Sequence, residues 1–471
     1  MTNLDWRLGD LPARVPVALP ATAPLRTVLQ TMSARRIGSV LLLDARGALA
    51  GILTRGDVLE RIVLAGVGLE EPAARVMSQP VQTLGTDDTL YDAVLMMARA
   101  GIRHVPVLDA TGQPVNIVSE RDLFALQRQS LQHVGHVIER ATTLADFQRA
   151  AAAVRDYTRH LQRQGVQARA LTGLIASLND RLTQRLVTWQ LQAHGLPADA
   201  MCWMALGSEG RGEQTLATDQ DNALIFQVEA GQGLEVARAR WLAFGRAVNE
   251  ALNACGYPLC HGGIMAGNPA CCLTLPEWQA RFAAWIDGGT ARQLLQAAVF
   301  FDLRAIAGRT DWVQTLSDEV LQRVQRTPRF VRLMAQAHLE HPVPLLWHGG
   351  IRTRREGAHR WLDLKLQGTA LIVEAARVLA LAHGVAATDT RLRLQQAGRA
   401  AGVPEGEVQA WVAAFDHLQA LRLAQQSADP ADAAPNRIDV AALDAVAMQT
   451  LKAALAAIRT LQQRLQLDYL R

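Results

Sequence analysis

Two aspartates separated by a single residue, Asp219 and Asp221, begin eleven residues after Ser208 in the stretch GSEGRGEQTLATDQDNALIF, and Ser208 directly follows Gly207. The apolar residues after the aspartates read as a strand beginning at Asp219, and Met201 to Leu206 as the strand before a glycine-serine turn. Residues two apart on a strand share a face, so both carboxylates project together while Asn222 points away. Like charges this close repel each other, and a bare core would penalise them further. A divalent cation removes that cost. Magnesium, or manganese in its place, is commonly held by one or two carboxylates plus substrate phosphates, where it stabilises charge as a phosphoryl bond changes partners. Gly207 and the Ser208 hydroxyl let backbone and side chain approach a triphosphate closely.

Other chemistries of a glycine-rich loop fail on spacing. GSEGRG places its glycines as GxxGxG rather than GxGxxG, no Gly-Lys-Ser/Thr follows, and a hydrolase elbow needs G-x-S-x-G where Ser208 has glycine immediately before it. Arg211 is open between a phosphate contact and plain exposure, and Glu213 between tying the loop to Arg211 and chemistry. Lys365 is one of only two lysines in a chain whose positive charge is otherwise arginine, so a compact ammonium stands there instead of a planar fork. A phosphate contact and a helix-surface ion pair both fit it.

The elements that position these residues occupy a long chain. Its 471 residues predict two to four domains, and 49% hydrophobic with 20% charged residues describes a globular protein. No apolar run reaches the length of a membrane span and the N-terminus lacks the build of a signal peptide, so a cytoplasmic, membrane-free protein is expected. A net charge of +4, spread along helices, asks for no nucleic acid. Cysteines 202, 255, 260, 271 and 272 form no metal-ligand spacing and read as reduced, buried thiols.

Residues 31–57 align without gaps on 96–122 at an offset of 65, with Met32 over Met97, Asp44 over Asp109, Gly47 over Gly112 and Asp57 over Asp122. Each copy reads as helix, strand, Asp-x-x-Gly turn, strand, and a new helix opening at Thr54-x-x-Asp57 or Ser119-x-x-Asp122. That opening is by itself a capping signature. Helical periodicity then fills 128–195, and after 310 the chain returns to helices.

GILTRGD and NIVSERD, with the repeat length and tandem arrangement, resemble the CBS domain over roughly residues 10–127, in copies of about 10–65 and 75–127. The resemblance implies AMP, ADP or ATP in the clefts of the pair, with Thr54 and Ser119 on phosphate and Asp57 and Asp122 on ribose, and homodimerisation through the pair. The Gly-Ser, the eleven-residue spacing and Asp-x-Asp resemble the nucleotidyltransferase superfamily of DNA polymerase beta. With FFDLRAIAG (300–308) and WLDLKLQG (361–368), the chain is similar to bacterial signalling proteins in which a CBS pair precedes a nucleotidyltransferase domain and a helical C-terminal domain. That group is related to the uridylyltransferase of protein PII and the adenylyltransferase of glutamine synthetase. The resemblance implies Asp219 and Asp221 as catalytic metal ligands and Gly207, Ser208 and Arg211 around the nucleotide. A third acid, usual in that superfamily on a later strand, is missing from the expected strand LCHGGIMAG (259–267). Asp302 is a candidate to replace it, against a salt bridge to Arg304 or a helix end. His261 is open between a phosphate contact and a buried, hydrogen-bonded side chain.

The expected architecture is therefore α/β plus all-α: a CBS pair (1–127), a helical connector (128–195), a small mixed-sheet nucleotidyltransferase domain (196–310) and a C-terminal helical bundle (311–471). The expected function is an adenine-nucleotide-regulated, magnesium-dependent transfer of a nucleoside monophosphate from an NTP to an acceptor, a protein being one candidate. The alternative is a nucleotide-sensing regulatory protein with a degenerate, non-catalytic transferase fold.

Overall fold

A computed structural model describes residues 7–11, 15–347, 349–428 and 434–470, with 121–130 described by their backbone. It divides into two compact units, 1–133 and 134–471.

The first unit is the duplication. In its first copy, strands β1 (Ala18–Pro20), β2 (Ser39–Leu43) and β3 (Leu49–Thr54) form one sheet, with β1 parallel and β3 antiparallel to β2. In the second copy, β4 (Leu84–Gly85), β5 (His104–Leu108) and β6 (Pro114–Ser119) repeat the arrangement. Both hairpins carry the same register shift, after Leu42 and after Val107. Both turn on an aspartate: Asp44 accepts from the backbone N–H of Arg46 and Ala48, and Asp109 from those of Thr111 and Gln113. The glycines of the two turns, Gly47 and Gly112, are left-handed at φ 80° and 81°. Leu25, Val28 and Met32 bury one stripe of helix Leu25–Ala34, and Leu90, Ala93 and Met97 the matching stripe of Leu90–Ala100, giving each copy its own core.

The second unit is organised by a four-stranded mixed sheet of β7 (Met201–Ala205), β8 (Asn222–Phe226), β9 (Cys272–Leu273) and β10 (Arg304–Gly308), in the order β10-β7-β8-β9. Alternation along its strands makes two cores. Met201, Trp203, Ala205, Leu224 and Phe226 face helices Leu144–Arg163, Ala168–His194 and Leu234–Ala254, where Trp203, Trp241 and Phe244 meet edge to face. Cys202, Met204, Ala223 and Ile225 face the other way into the larger core shared with helices Leu275–Gly288, Thr310–Gln325, Pro328–Leu339, Ala370–Ala382, Glu405–Ala428 and Ala445–Tyr469. The sheet is thus clamped on both faces, which fixes the loop between β7 and β8.

Three sequence expectations change. The glycine-serine stretch is a one-turn helix, Gly207–Gly210, and β8 starts at Asn222 rather than Asp219. Residues 259–267 make no strand: Gly263 is left-handed, and the segment meets the start of β8 through Ala266 N–H on the Asn222 side chain and Asn222 N–H on the Ile264 carbonyl. The mainly helical C-terminal region also holds an antiparallel sheet of β11 (Arg354–Glu356), β12 (His359–Asp363) and β13 (Arg437–Asp439). Among the described residues no helix is long and apolar enough to cross a membrane.

Candidate active site

The one-turn helix leaves β7 and comes straight back over β8, because Leu206 N–H donates to the Asp221 carbonyl at 2.8 Å. Two glycines permit the close pass. A Cβ on Gly207, whose φ is 54°, would lie 2.6 Å from an Asp221 carboxylate oxygen, and one on Gly210 would lie 1.7 Å from the Asp302 carbonyl oxygen. Neither space can hold a side chain.

Alternation then divides the four residues 219–222. Gln220 and Asn222 are buried and locked to the core side: Gln220 donates to the carbonyls of Asn249 and Tyr257 at 3.0 and 2.8 Å, and Asn249 donates to the side-chain oxygens of Gln220 and Asn222 at 2.8 and 2.9 Å. Asp219 and Asp221 are left on the opposite side, where both line a cavity of about 190 Å³ together with Gly207, Ser208, Arg211 and Glu213. Asp221 is part-buried. Its enclosed position, and then the charge of Asp219, push its carboxyl up to about 7, against a hydrogen bond from Cys260 and the charges of Lys365 and Arg211. Asp219 is 38% exposed and meets the Lys365 ammonium at 3.8 Å.

The far wall comes from the C-terminal region: Lys365 and Thr369 of a π-turn Lys365–Thr369, Val373, Glu374 and Arg377 of the helix after it, and Phe415, Gln419 and Arg422 of helix Glu405–Ala428. Glu374 accepts from or shares a proton with His338 Nδ1 at 3.1 Å. Behind this wall lies an ion cage. Asp302, 0% exposed, accepts a bidentate bond from Arg377 at 2.9 and 2.6 Å, a bond from Arg211 at 2.5 Å, and one from Arg393. Burial alone would raise its pKa, but Arg377, Arg393 and Arg211 hold the carboxyl well below the usual carboxylate range. Arg211 also pairs with Glu213 at 2.9 Å, and Glu213 accepts from the Thr390 backbone N–H and hydroxyl.

These contacts decide several sequence expectations. Asp302 does not pair with Arg304, which instead makes a bidentate bond to Asp180 at 2.7 and 2.9 Å. With three guanidiniums on it, Asp302 has no lone pairs left to act as a third metal ligand. Arg211 reaches the cavity but is committed to two carboxylates, and Glu213 does tie the loop to it. His261 is exposed, not buried. Four of the five cysteines are buried free thiols, and Cys260 is part-exposed beside Asp221.

Among the described residues no group of three or more His, Cys, Asp or Glu side chains is arranged to hold a metal. The donor set of Asp219 and Asp221, two hard anionic groups on a cavity beside Gly207 and Ser208, fits magnesium when a triphosphate supplies further oxygens. Glu209, Gln419 and Arg422 carried no sequence expectation. Glu209 sits inside the GSEG turn, buried, and burial followed by the charge of Asp180 pushes it up to about 8. Its signal was adjacency to the glycine-serine pair.

In the first unit, Thr54 and Asp57 form a complete capping box. Asp57 Oδ2 accepts from the Thr54 backbone N–H and hydroxyl at 2.8 and 2.7 Å, and Oδ1 from Ser78 at 3.1 Å. A cavity of about 540 Å³ opens elsewhere in the unit, lined by Leu49, Ala50, Gln79, Pro80, Val81, Thr83 and Leu108. Ser119 ends β6. The Asp122 side chain lies outside the described residues.

Comparison with known proteins gives three family matches. CBS domains match residues 8–64 and 73–128, the family described as "Putative nucleotidyltransferase DUF294" matches 152–292, and the one described as "Putative nucleotidyltransferase substrate binding domain" matches 328–469. Among curated proteins, an uncharacterized protein of Methanopyrus kandleri is 30% identical over 121 residues, 26% of this chain and 62% of that protein. A CBS domain-containing protein of Arabidopsis thaliana is 29% identical over 94 residues, 20% of this chain and 17% of that protein. The chain thus spans less than two thirds of either relative. Among solved structures, a CBS domain protein from Pyrobaculum aerophilum complexed with AMP is 31% identical, covers 25% of this chain and 89% of its own, and has a TM-score of 0.24.

Proposed function

We propose that this chain, which joins a tandem CBS pair to a DUF294 nucleotidyltransferase domain and the domain that accompanies it, is a magnesium-dependent nucleotidyltransferase regulated by adenine nucleotides. Asp221 carries the reading. It is a part-buried carboxyl, two positions from a second carboxylate, on a cavity wall, and among the described residues no cation lies within ion-pair distance of it. A protein gains no stability from such a pair, so the arrangement is explained by what it receives.

Asp219 and Asp221 are the residues that would hold magnesium on the triphosphate. Bound there, the ion would offset the negative charge of the phosphate oxygens during transfer. Gly207 leaves backbone room beside Asp221, and Ser208 offers a hydroxyl to the phosphates. An acceptor hydroxyl attacks the α-phosphorus, the bond to the bridging oxygen breaks, and pyrophosphate leaves with that bond's electron pair while the acceptor's proton passes to solvent. The CBS pair would bind AMP, ADP or ATP, bias the rate and join two copies as a homodimer.

The full chain incubated with magnesium, cell extract and each NTP labelled in turn at the α- or γ-phosphate tests the reading. Label from the α-position alone should appear on an acceptor, with pyrophosphate released. Label from the γ-position alone would make the protein a kinase. The non-catalytic alternative is favoured by the lack, among the described residues, of a third acid arranged with Asp219 and Asp221 to hold a metal, and it predicts triphosphate binding with no transfer from either position.

A further inference from the structure

The buried arginines of the second unit differ in what they are paired with. Arg377 and Arg393 share Asp302, and Arg391 pairs with Asp416 at 2.6 Å. Arg422, only 7% exposed, donates from Nε to the Asn436 side chain at 3.0 Å and from Nη1 to Gln419 at 2.9 Å and Thr369 at 3.4 Å. All three partners are neutral. Among the described residues no carboxylate lies within ion-pair distance of it, and it lines the cavity across which Asp219 and Asp221 stand.

We propose that Arg422, with Lys365, forms the anion subsite that receives the pyrophosphate end of the triphosphate. This rests on the transferase reading above.

A guanidinium cannot shed its charge in a protein, and a buried charge left without a counter-ion is costly. Burial, and then the charge of Arg211, draw the Arg422 pKa down to about 10, although Asp363, Glu213 and Asp219 pull the other way. The carboxylates of the same cavity do not compensate it: Glu213 is taken by Arg211 and Thr390, and Glu374 by His338. An entering phosphate would bring the missing negative charge and present oxygens that a planar guanidinium fork binds well. Lys365 lines the same cavity, half-exposed and held to Asp219 only at 3.8 Å, so its ammonium is placed to turn from carboxylate to phosphate once Asp219 is engaged. Size selects which part of the nucleotide enters. About 190 Å³ is below the ~300–1,000 Å³ of pockets that enclose whole drug-sized ligands, so the cavity suits phosphates with sugar and base outside.

Calorimetry on the full chain with inorganic pyrophosphate and magnesium chloride tests this, alongside Arg422→Gln, Arg422→Lys, Lys365→Met and Asp219→Asn. Arg422→Gln should weaken pyrophosphate binding by at least about tenfold, and Arg422→Lys should recover most of it. Lys365→Met, an exposed change that spares the fold, should weaken it by about threefold or more and carries the test should Arg422→Gln not fold. Pyrophosphate binding unchanged in both Arg422→Gln and Lys365→Met would overturn the subsite. So would a wild-type chain that binds NTP with magnesium but not pyrophosphate, while leaving the transferase reading standing. Loss of label transfer in Arg422→Gln with pyrophosphate affinity intact would place the arginine on the acceptor instead, which also overturns the assignment. A wild-type chain that binds neither pyrophosphate nor any NTP would remove the transferase reading and the subsite together.

Discussion

Asp221 lines the cavity and Asp302 does not, yet Arg211 acts on both. Asp302 is wholly buried and surrounded by three guanidiniums, so its charge is over-compensated and its proton is lost at any ordinary pH. Asp221 is part-buried, faces another carboxylate, and keeps its proton up to about pH 7. The same residue type is a structural anchor in one place and an unmet demand in the other. What separates them is the identity of the neighbours rather than the degree of burial: a carboxylate supplied with cations holds the fold together, and one denied them is available to a ligand.

The sharpest way to break this contrast is to remove the anchor. Asp302→Ala leaves Arg377 and Arg393 buried and Arg211 nearly so without their shared anion, and should cost about 3–5 kcal/mol, read as a collapse of the melting transition of the second unit. A stable Asp302→Ala protein would mean that the cage contributes little.

Asp221→Asn and Asp219→Asn should do the reverse. Each deletes an anionic ligand at constant volume, so transfer should fall by about a hundredfold or more while the melting temperature of the apo protein holds or rises. Activity within a few-fold of wild type in both variants would contradict the site.

A pH series sharpens the comparison further. Because the Asp221 carboxyl lies near 7 in the folded protein, above its unfolded value, its contribution to stability is complete below the ordinary carboxylate range and is lost as pH rises through about 7. Asp221→Asn should therefore gain stability relative to wild type between pH 5 and 8, and not at pH 4. Magnesium-dependent nucleotide affinity should weaken about tenfold per unit below pH 7, as protons compete for the same oxygens. A flat profile at both would remove the perturbed carboxyl from the account.

The smallest effect belongs to Asp57, a second satisfied carboxylate. Asp57→Ala opens the capping box and should cost about 1 kcal/mol in the first unit's unfolding. If Asp57 also holds ribose, adenylate affinity measured by calorimetry will fall as well; an affinity equal to wild type would leave it a cap.

Which of these features could be read in the sequence follows from how local they are. The duplication was legible because Asp44 and Asp109, Gly47 and Gly112 recur at one offset and each determines its own turn. The division of residues 219–222 was legible because the lead-in to β8 keeps the alternate facing of a strand, although β8 itself begins only at Asn222. Lys365 was visible as a rare lysine. The cage around Asp302 was not, since residues 211, 302, 377 and 393 meet only in three dimensions and an Arg304 two positions away looked the simpler partner. Arg422 is one arginine on a helix of an arginine-rich chain, and nothing local marks it as lacking a counter-ion. Residues 259–267 were expected as a strand from the superfamily resemblance, but the segment turns at Gly263, and the Ala266 and Gly267 N–H donate to Asn222 and Asn249.

In the proposed mechanism Asp219 and Asp221 together hold a divalent ion on a triphosphate. Titrating the full chain at pH 8 with Mn²⁺ in the presence of an NTP analogue that cannot be cleaved between the α- and β-phosphates, followed by electron paramagnetic resonance of the free ion, measures it directly. Bound Mn²⁺ should appear with the wild-type chain and analogue together and be lost in both Asp219→Asn and Asp221→Asn. Equal Mn²⁺ binding by wild type and both variants, or none by wild type, would contradict it.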